Sequence, residues 1–105
     1  MLGQDAGLLA GVSSMGVPVT DRLGATAPAV LIDFTVPVGF RAAVKTCLEQ
    51  ATLGKPLALV VGTTGLSADD HKLIDEAARS IAVLQVANMS LGVNLLLGLA
   101  AQVAR

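Results

Sequence analysis

The turn Gly62-Thr63-Thr64-Gly65 is the part of the sequence best suited to chemistry. Its glycines let another molecule approach the backbone closely, its hydroxyls donate or accept hydrogen bonds, and its amides precede a predicted helix. These properties suit a ribose, a phosphate or a carboxamide. The alternative is a tight strand-to-helix connection that requires small residues, and spacing alone favours it. The turn is not a Walker A loop, because no Lys-Ser or Lys-Thr follows it.

The other reactive side chains give weaker signals. The Asn88 amide could hold a cofactor or close a backbone turn, and both interpretations stay open. Asp33 has no partner carboxylate, so we expect it to tie down the turn that follows it rather than bind a ligand. His71 is interpreted as a solvated surface residue and Cys47 as a small buried hydrophobe. The residues therefore predict no catalytic group and no metal site.

Three apolar runs of strand length alternate with helix-like segments, and they must position these residues. The runs cover residues 29–32, 57–61 and 81–86. A continuous apolar run is typical of a strand covered on both faces. Residues 16–21 suggest a further short strand near the start of the chain.

Each of the three runs leads into a helix with a recognisable start. We expect Thr35, Ser67 and Ser90 to cap these helices, with Pro37 in the first turn of the first one. Apolar residues then recur at helical spacing, which predicts one buried face on each helix. The predicted inner face of the last helix consists of Leu91, Leu95, Leu99 and Val103.

This alternation predicts an α/β fold with a parallel sheet, because strands joined by helical crossovers run in the same direction. Parallel strands place their carboxyl ends along one edge of the sheet. The turns at residues 34–35, 62–64 and 87–89 should therefore share one rim, which is where ligands bind in open α/β sheets.

Composition excludes several classes of protein. The 105 residues are 53% hydrophobic, so the chain is not disordered, and a single cysteine excludes an intramolecular disulfide scaffold. A net charge of −1 with no Trp and no Tyr argues against nucleic acid as a partner. Residues 80–104 carry no charge and would be long enough to cross a membrane, but polar residues and an Asn-Met-Ser break favour a strand plus a helix.

Three segments in order resemble dihydrodipicolinate reductase, also called 4-hydroxy-tetrahydrodipicolinate reductase. The similarity begins near Gly3-Gln4-Asp5-Ala6-Gly7, which is similar to a Gly-x-Asp-Ala-Gly segment of that family, and it continues to Arg105. The three segments are Val30-Leu31-Ile32-Asp33-Phe34-Thr35-Val36-Pro37, Val61-Gly62-Thr63-Thr64-Gly65-Leu66 and Ala87-Asn88-Met89-Ser90-Leu91-Gly92-Val93-Asn94.

The resemblance implies an NAD(P)H-dependent oxidoreductase of diaminopimelate and lysine biosynthesis. Such enzymes are cytoplasmic homotetramers with a Rossmann-like cofactor domain and a separate substrate domain, and they reduce a small cyclic imine dicarboxylate. NADPH or NADH supplies the hydride. The cofactor-binding residues implied here are Gly62, Thr63, Thr64, Ala87, Asn88 and Met89, with Phe34 and Thr35 on the neighbouring turn.

Departures from the family pattern lead us to expect that residues 1–105 form an incomplete dinucleotide-binding domain. The pattern's first strand, its Gly-rich phosphate loop and its substrate domain, with a His-His segment and a catalytic lysine, have no counterpart here, and His71 matches none of those positions. The strand beginning at Ala29 would then be an open edge, and a strand at residues 17–20 would lack a partner. We expect the isolated chain to be marginally stable or to aggregate, to bind dinucleotide weakly and to be inactive.

An alternative from another class is a free-standing α/β module without catalytic activity. In that case the rim would hold a nucleotide, or a partner chain would supply the missing strand. Membrane insertion through residues 80–104 is a weaker third interpretation.

Overall fold

The computed structural model of the protein describes residues 1–23, 29–86 and 88–104. Three strands form one parallel sheet in the order β1-β2-β3, which confirms the predicted α/β class. The elements in chain order are α1 (Ala6–Leu9), β1 (Val30–Asp33), α2 (Pro37–Thr52), β2 (Ala58–Val61), α3 (Ala68–Ala77), β3 (Val83–Gln85) and α4 (Leu91–Val103).

The hydrophobic core lies between one face of the sheet and the helices α2 and α3. Cys47 belongs to this core and is fully buried, as predicted, and burial raises the pKa of its thiol. Strand β2 contributes every second residue to the core, which is the period expected of a strand with one covered face. The buried apolar residues are Phe40, Val44, Cys47, Leu57, Leu59, Val61, Ile74, Ala77 and Ile81.

The opposite face of the sheet is not covered by any part of the chain that the structure describes. Ile32 of β1 and Leu84 of β3 are 64% and 56% exposed, and both lie in register with Val60 between them. The prediction of strands covered on both faces is therefore wrong for this part of the chain. The reason is that both crossover helices pack on the same side of the sheet, and a period of two leaves the alternate residues outward.

Helix α4 also differs from the prediction. Its Ser90 cap is confirmed, because the hydroxyl accepts from the Val93 amide. Its four predicted inner residues are instead each more than half exposed, because no described element packs extensively against it. The helix is 13 residues long. No helix within the described ranges is both long and apolar enough to cross a bilayer.

Residues 3–19 form a small antiparallel arrangement before the sheet. Residues 17–19 pair antiparallel with residues 3–6, through a Gly3 amide to Val19 carbonyl bond of 2.8 Å among others, so the expectation that they lack a partner is wrong. Asp5 caps α1 and also accepts from the Ser14 hydroxyl and the Met15 amide. The hydrogen bond from the Met15 amide is the largest cause that lowers the pKa of Asp5 to about 2.

The starts of α2 and α3 are capped in different ways. Helix α3 is capped by Ser67, as predicted, and Asp70 supplies the reciprocal acceptor of a capping box. Helix α2 begins at Pro37 with Val36 as its N-cap and no capping side chain. The prediction of Thr35 as its cap is wrong, because the Thr35 hydroxyl donates instead to the Asp33 carboxylate at 2.6 Å.

Asp70 also joins the two helices. Arg41 on α2 donates through Nε to Asp70 Oδ1 at 2.7 Å and through a second nitrogen to Oδ2 at 3.1 Å. The Asp70 side chain is only 3% exposed. The hydrogen bond from Arg41 is the main cause that holds the pKa of the Asp70 carboxyl well below its ordinary value.

We expect Asp70→Asn to be less stable than the wild type at neutral pH, with a difference that shrinks as the pH falls. A carboxyl whose pKa is lowered by folding stabilises the native state above its unfolded pKa of about 4, and that stabilisation is lost as the pH falls through the folded pKa. Urea unfolding between neutral pH and acid measures the difference. Asp75→Asn, which removes an exposed carboxylate from the same helix, is the control. A difference that does not change with pH would contradict the role of the ion pair.

The uncovered sheet face predicts self-association of the isolated chain. We expect Ile32→Thr combined with Leu84→Lys to reduce it, because a polar face gains less from burial against a second molecule. The free energy of unfolding of the double variant should change by no more than about 0.5 kcal/mol, as is usual for substitutions at exposed positions. Sedimentation velocity measures the association, and Ile32→Val is the apolar control. Equal association of both variants would show that this face is not the contact.

Candidate functional site

The carboxyl ends of the three strands meet at one edge, as the alternation predicted. Asp33, Val61 and Gln85 lie in one row across the sheet. The turns are connected immediately beyond this row, since the Gly62 amide donates to the Asp33 carbonyl at 2.8 Å and the Val86 amide donates to the Val61 carbonyl at 3.1 Å. We call this edge the strand-end rim and define it as residues 34–35, 62–65, 86 and 88–89.

The rim brings together seven of the eight residues that the resemblance assigned to the cofactor. On the first two turns, Thr35 and Thr63 donate to the Asp33 side chain, Phe34 lies against Gly62, and Thr64 follows Thr63. Asn88 and Met89 follow β3 on the third turn, whereas Ala87 lies outside the described residues. The five on the first two turns are Phe34, Thr35, Gly62, Thr63 and Thr64.

The first two turns are joined by the Asp33 carboxylate. One of its oxygens accepts from the Thr35 amide at 3.1 Å and from the Thr35 hydroxyl at 2.6 Å. The other oxygen accepts from the Thr63 hydroxyl at 2.7 Å. Asp33 therefore ties down the turn that follows it, as predicted, and also reaches a turn that sequence reasoning did not connect to it.

Position 62 has no room for a side chain because the Phe34 ring lies against it. A Cβ built at Gly62 would overlap the ring, so any larger residue would have to displace it. The Phe34 side chain is nevertheless 63% exposed, because its other face is open. The contact with Phe34 thus explains why residue 62 is a glycine. The Phe34 ring also presents an exposed aromatic face at the rim.

The Gly-Thr-Thr-Gly turn leaves polar groups available. The amides of Thr63, Thr64 and Gly65 donate to no acceptor within residues 1–23, 29–86 and 88–104. Gly65 has a φ of +76°, a backbone conformation that favours glycine, and it lets the chain turn from β2 toward α3. Successive unpaired amides on such a turn suit an anionic or carbonyl oxygen.

A cavity of about 210 Å³ lies beside this turn. Two of its lining residues, His71 on α3 and Gln85 at the end of β3, were not predicted as site residues. Gln85 Nε2 lies 3.4 Å from His71 Nδ1. His71 is exposed, as predicted. Its position beside the rim depends on how α3 packs, which the sequence alone does not show. The signal that could have found Gln85 is its polar side chain at the end of an apolar strand.

Asn88 closes a backbone turn. Its side-chain oxygen accepts from the Ser90 amide at 2.8 Å, and its carbonyl accepts from the Asn94 amide group at 2.9 Å. The turn interpretation of Asn88 is therefore correct for its oxygen. Met89 beside it is 43% exposed at the rim.

Other parts of the molecule offer less chemistry. A larger cavity of about 480 Å³ lies against α2, away from the rim, and is lined mainly by the aliphatic parts of residues such as Val44, Leu48 and Leu73. Among the residues that the structure describes, no group of three or more His, Cys, Asp or Glu side chains is placed to hold a metal ion.

Comparison with known proteins identifies related sequences. The family described as "Dihydrodipicolinate reductase, N-terminus" matches residues 1–89. A 4-hydroxy-tetrahydrodipicolinate reductase of Afipia carboxidovorans is 44% identical over 107 aligned residues, which cover 100% of this chain and 38% of that protein. One of Sinorhizobium fredii is 46% identical over 99 residues, covering 90% and 34%. One of Pseudoalteromonas atlantica is 41% identical over 107 residues, covering 100% and 38%.

These relatives are much longer than the chain. It spans 38% of the length of the Afipia and Pseudoalteromonas proteins. The resemblance recognised from three short segments is confirmed by these matches, which extend well beyond those segments.

We expect Gly62→Ala to displace the Phe34 ring. The free energy of unfolding should fall by about 1 kcal/mol, the low end for overpacking, because the exposed ring can move aside. The chain has two phenylalanines and no Trp or Tyr, so the aromatic proton NMR signals are simple to follow, with buried Phe40 as an internal reference. The Phe34 signals should shift while those of Phe40 stay. Gly98→Ala, where a Cβ would meet nothing within 4 Å, is the control.

Proposed function

The chain belongs to the family of dihydrodipicolinate reductase N-terminal domains, and from that membership we propose that it forms part of the cofactor domain of a 4-hydroxy-tetrahydrodipicolinate reductase. The observation that supports this most strongly is the convergence of the Phe34-Thr35 and Gly-Thr-Thr-Gly turns on one rim, where the amides of residues 63–65 have no acceptor in the described parts of the chain. The names of the relatives that align with the whole chain support the same function.

The chemistry of the rim fits a nicotinamide dinucleotide, the cofactor that the family implies. The Thr63, Thr64 and Gly65 amides would donate to oxygen acceptors of the cofactor, and the Thr64 hydroxyl adds an exposed polar group. The open face of Phe34 offers a surface on which a planar ring can stack. The proposed cofactor-binding residues are Phe34, Thr35, Gly62, Thr63, Thr64, Asn88 and Met89, with Ala87 added from the sequence alone.

When bound, NADPH or NADH supplies the hydride in such a reaction. The residues of this chain contribute position: they hold the dinucleotide at the rim and present it to a substrate from outside the sheet edge. No residue of the chain is proposed to transfer a proton. His71, the only histidine in the sequence, lines the cavity beside the Gly-Thr-Thr-Gly turn.

The remaining parts of the proposal concern the full-length enzyme. Because the chain spans 38% of its relatives, we propose that residues 1–105 are an incomplete dinucleotide-binding domain and that a separate domain binds the cyclic imine dicarboxylate substrate. The uncovered sheet face and the exposed α4 support this, since both are apolar surfaces that further chain would cover. We further propose that the full-length enzyme is a cytoplasmic homotetramer and that the isolated chain is inactive.

We expect Thr64→Ala to weaken the binding of NADPH or NADH by the full-length protein. Loss of one hydrogen bond of about 0.5–1.5 kcal/mol raises the dissociation constant roughly two- to tenfold. Enhancement of nicotinamide fluorescence measures it. Thr52→Ala, at the end of α2 and away from the rim, is the matched control and should bind like the wild type.

The proposal fails if the wild-type full-length protein binds neither dinucleotide. Binding of a dinucleotide without reduction of the imine by the full-length protein would instead identify a free-standing nucleotide-binding module. Equal affinities of Thr64→Ala and the wild type would place the dinucleotide away from the Gly-Thr-Thr-Gly turn.

A further inference from the structure

Asp33 is a buried carboxylate at the centre of the rim. It is 1% exposed, and its two oxygens serve different turns. Oδ1 accepts from the amide and the hydroxyl of Thr35, and Oδ2 accepts from the hydroxyl of Thr63, which lies 30 residues away in the sequence.

Within the described residues, the Asp33 carboxylate is satisfied by hydrogen bonds from neutral donors. The ion pairs in the described parts of the chain are Arg41–Asp70, Lys45–Glu49 and Lys72–Asp69, and none includes Asp33. Burying a carboxylate is costly unless its oxygens are satisfied, and an ionised carboxylate is an acceptor at both oxygens. Three donors from two turns therefore match what this side chain requires.

The bond to Thr63 is not needed to pair the strands. The main chain already pairs them at this level, since the Gly62 amide donates to the Asp33 carbonyl at 2.8 Å. The side-chain bond instead fixes the Thr63 side chain relative to Thr35. Above it, the Phe34 ring lies over Gly62, so a polar and an apolar contact hold the same two turns together.

We propose that Asp33 is a positioning residue, which holds the Phe34-Thr35 turn and the Gly-Thr-Thr-Gly turn in the relative placement that a bound dinucleotide requires. Asp33 is too deeply buried to touch the dinucleotide and acts through Thr35 and Thr63. The inference rests on the proposed function for the identity of the ligand. The coupling between the two turns is a property of the protein without ligand.

Asp33→Asn tests the proposal in the full-length protein. Asparagine keeps the size and one acceptor oxygen but replaces the other oxygen by a donor group, so one of the two turns loses its acceptor. We expect the dissociation constant for NADPH or NADH to rise on the order of tenfold. We also expect hydrogen exchange of the ligand-free protein to speed up together at the two hydrogen-bonded amides of these turns, those of Thr35 and Gly62.

Two control variants separate positioning from a general loss of stability. Asp75→Asn removes an exposed carboxylate and should change neither readout. Val44→Ala creates a cavity in the core and lowers stability without touching the rim, so it should raise exchange broadly with little effect on affinity. An equal loss of affinity in Val44→Ala at matched stability would overturn the proposal.

Thr63→Val tests the same link from its other end and serves if Asp33→Asn fails to fold. It removes only the long-range hydrogen bond and keeps a branched side chain. Faster exchange at the Thr35 amide in this variant would support the proposal, and a change confined to the Gly62 amide, or no change at either, would overturn it. If the wild type binds no dinucleotide, the proposed function fails, while the exchange of the two turns still decides the role of Asp33.

Discussion

The rim depends on a buried carboxylate that has no cationic partner in the described chain and must be satisfied by neutral donors. Asp33 satisfies its oxygens with groups from two different turns, and this requirement holds those turns in one place. Parallel pairing brings the strand ends to the same edge, but it does not by itself orient the side chains beyond them. The carboxylate and the Phe34 ring over Gly62 provide that orientation.

The molecule has a well-packed half and an open half. Helices α2 and α3 cover one face of the sheet and are joined by the Arg41–Asp70 ion pair, whereas Ile32 and Leu84 on the other face are exposed. Helix α4 is largely apolar, and its leucines and valines are exposed as well. Asp33 and Thr63 are buried, whereas the Phe34 ring at the rim is exposed.

Local signals in the sequence predicted much of the fold. The Ser67 N-cap, Pro37 at the start of α2 and the three strands occur within a few residues of their predicted positions. The Thr35 cap failed because a nearby carboxylate competed for its hydroxyl. The inner face of α4 failed because helical periodicity shows which residues can be buried together and not whether anything lies against them.

The order of strands and helices, the shared edge of the strand ends and the family could be read from the sequence by itself, because they follow from periodicity and short motifs along the chain. The tertiary structure alone decided that Asp33 reaches Thr63, that Gly62 makes room for Phe34 and that Gln85 joins His71 beside the turn. Each of these contacts joins residues distant in the chain. They depend on strand register and helix packing, which no local pattern specifies.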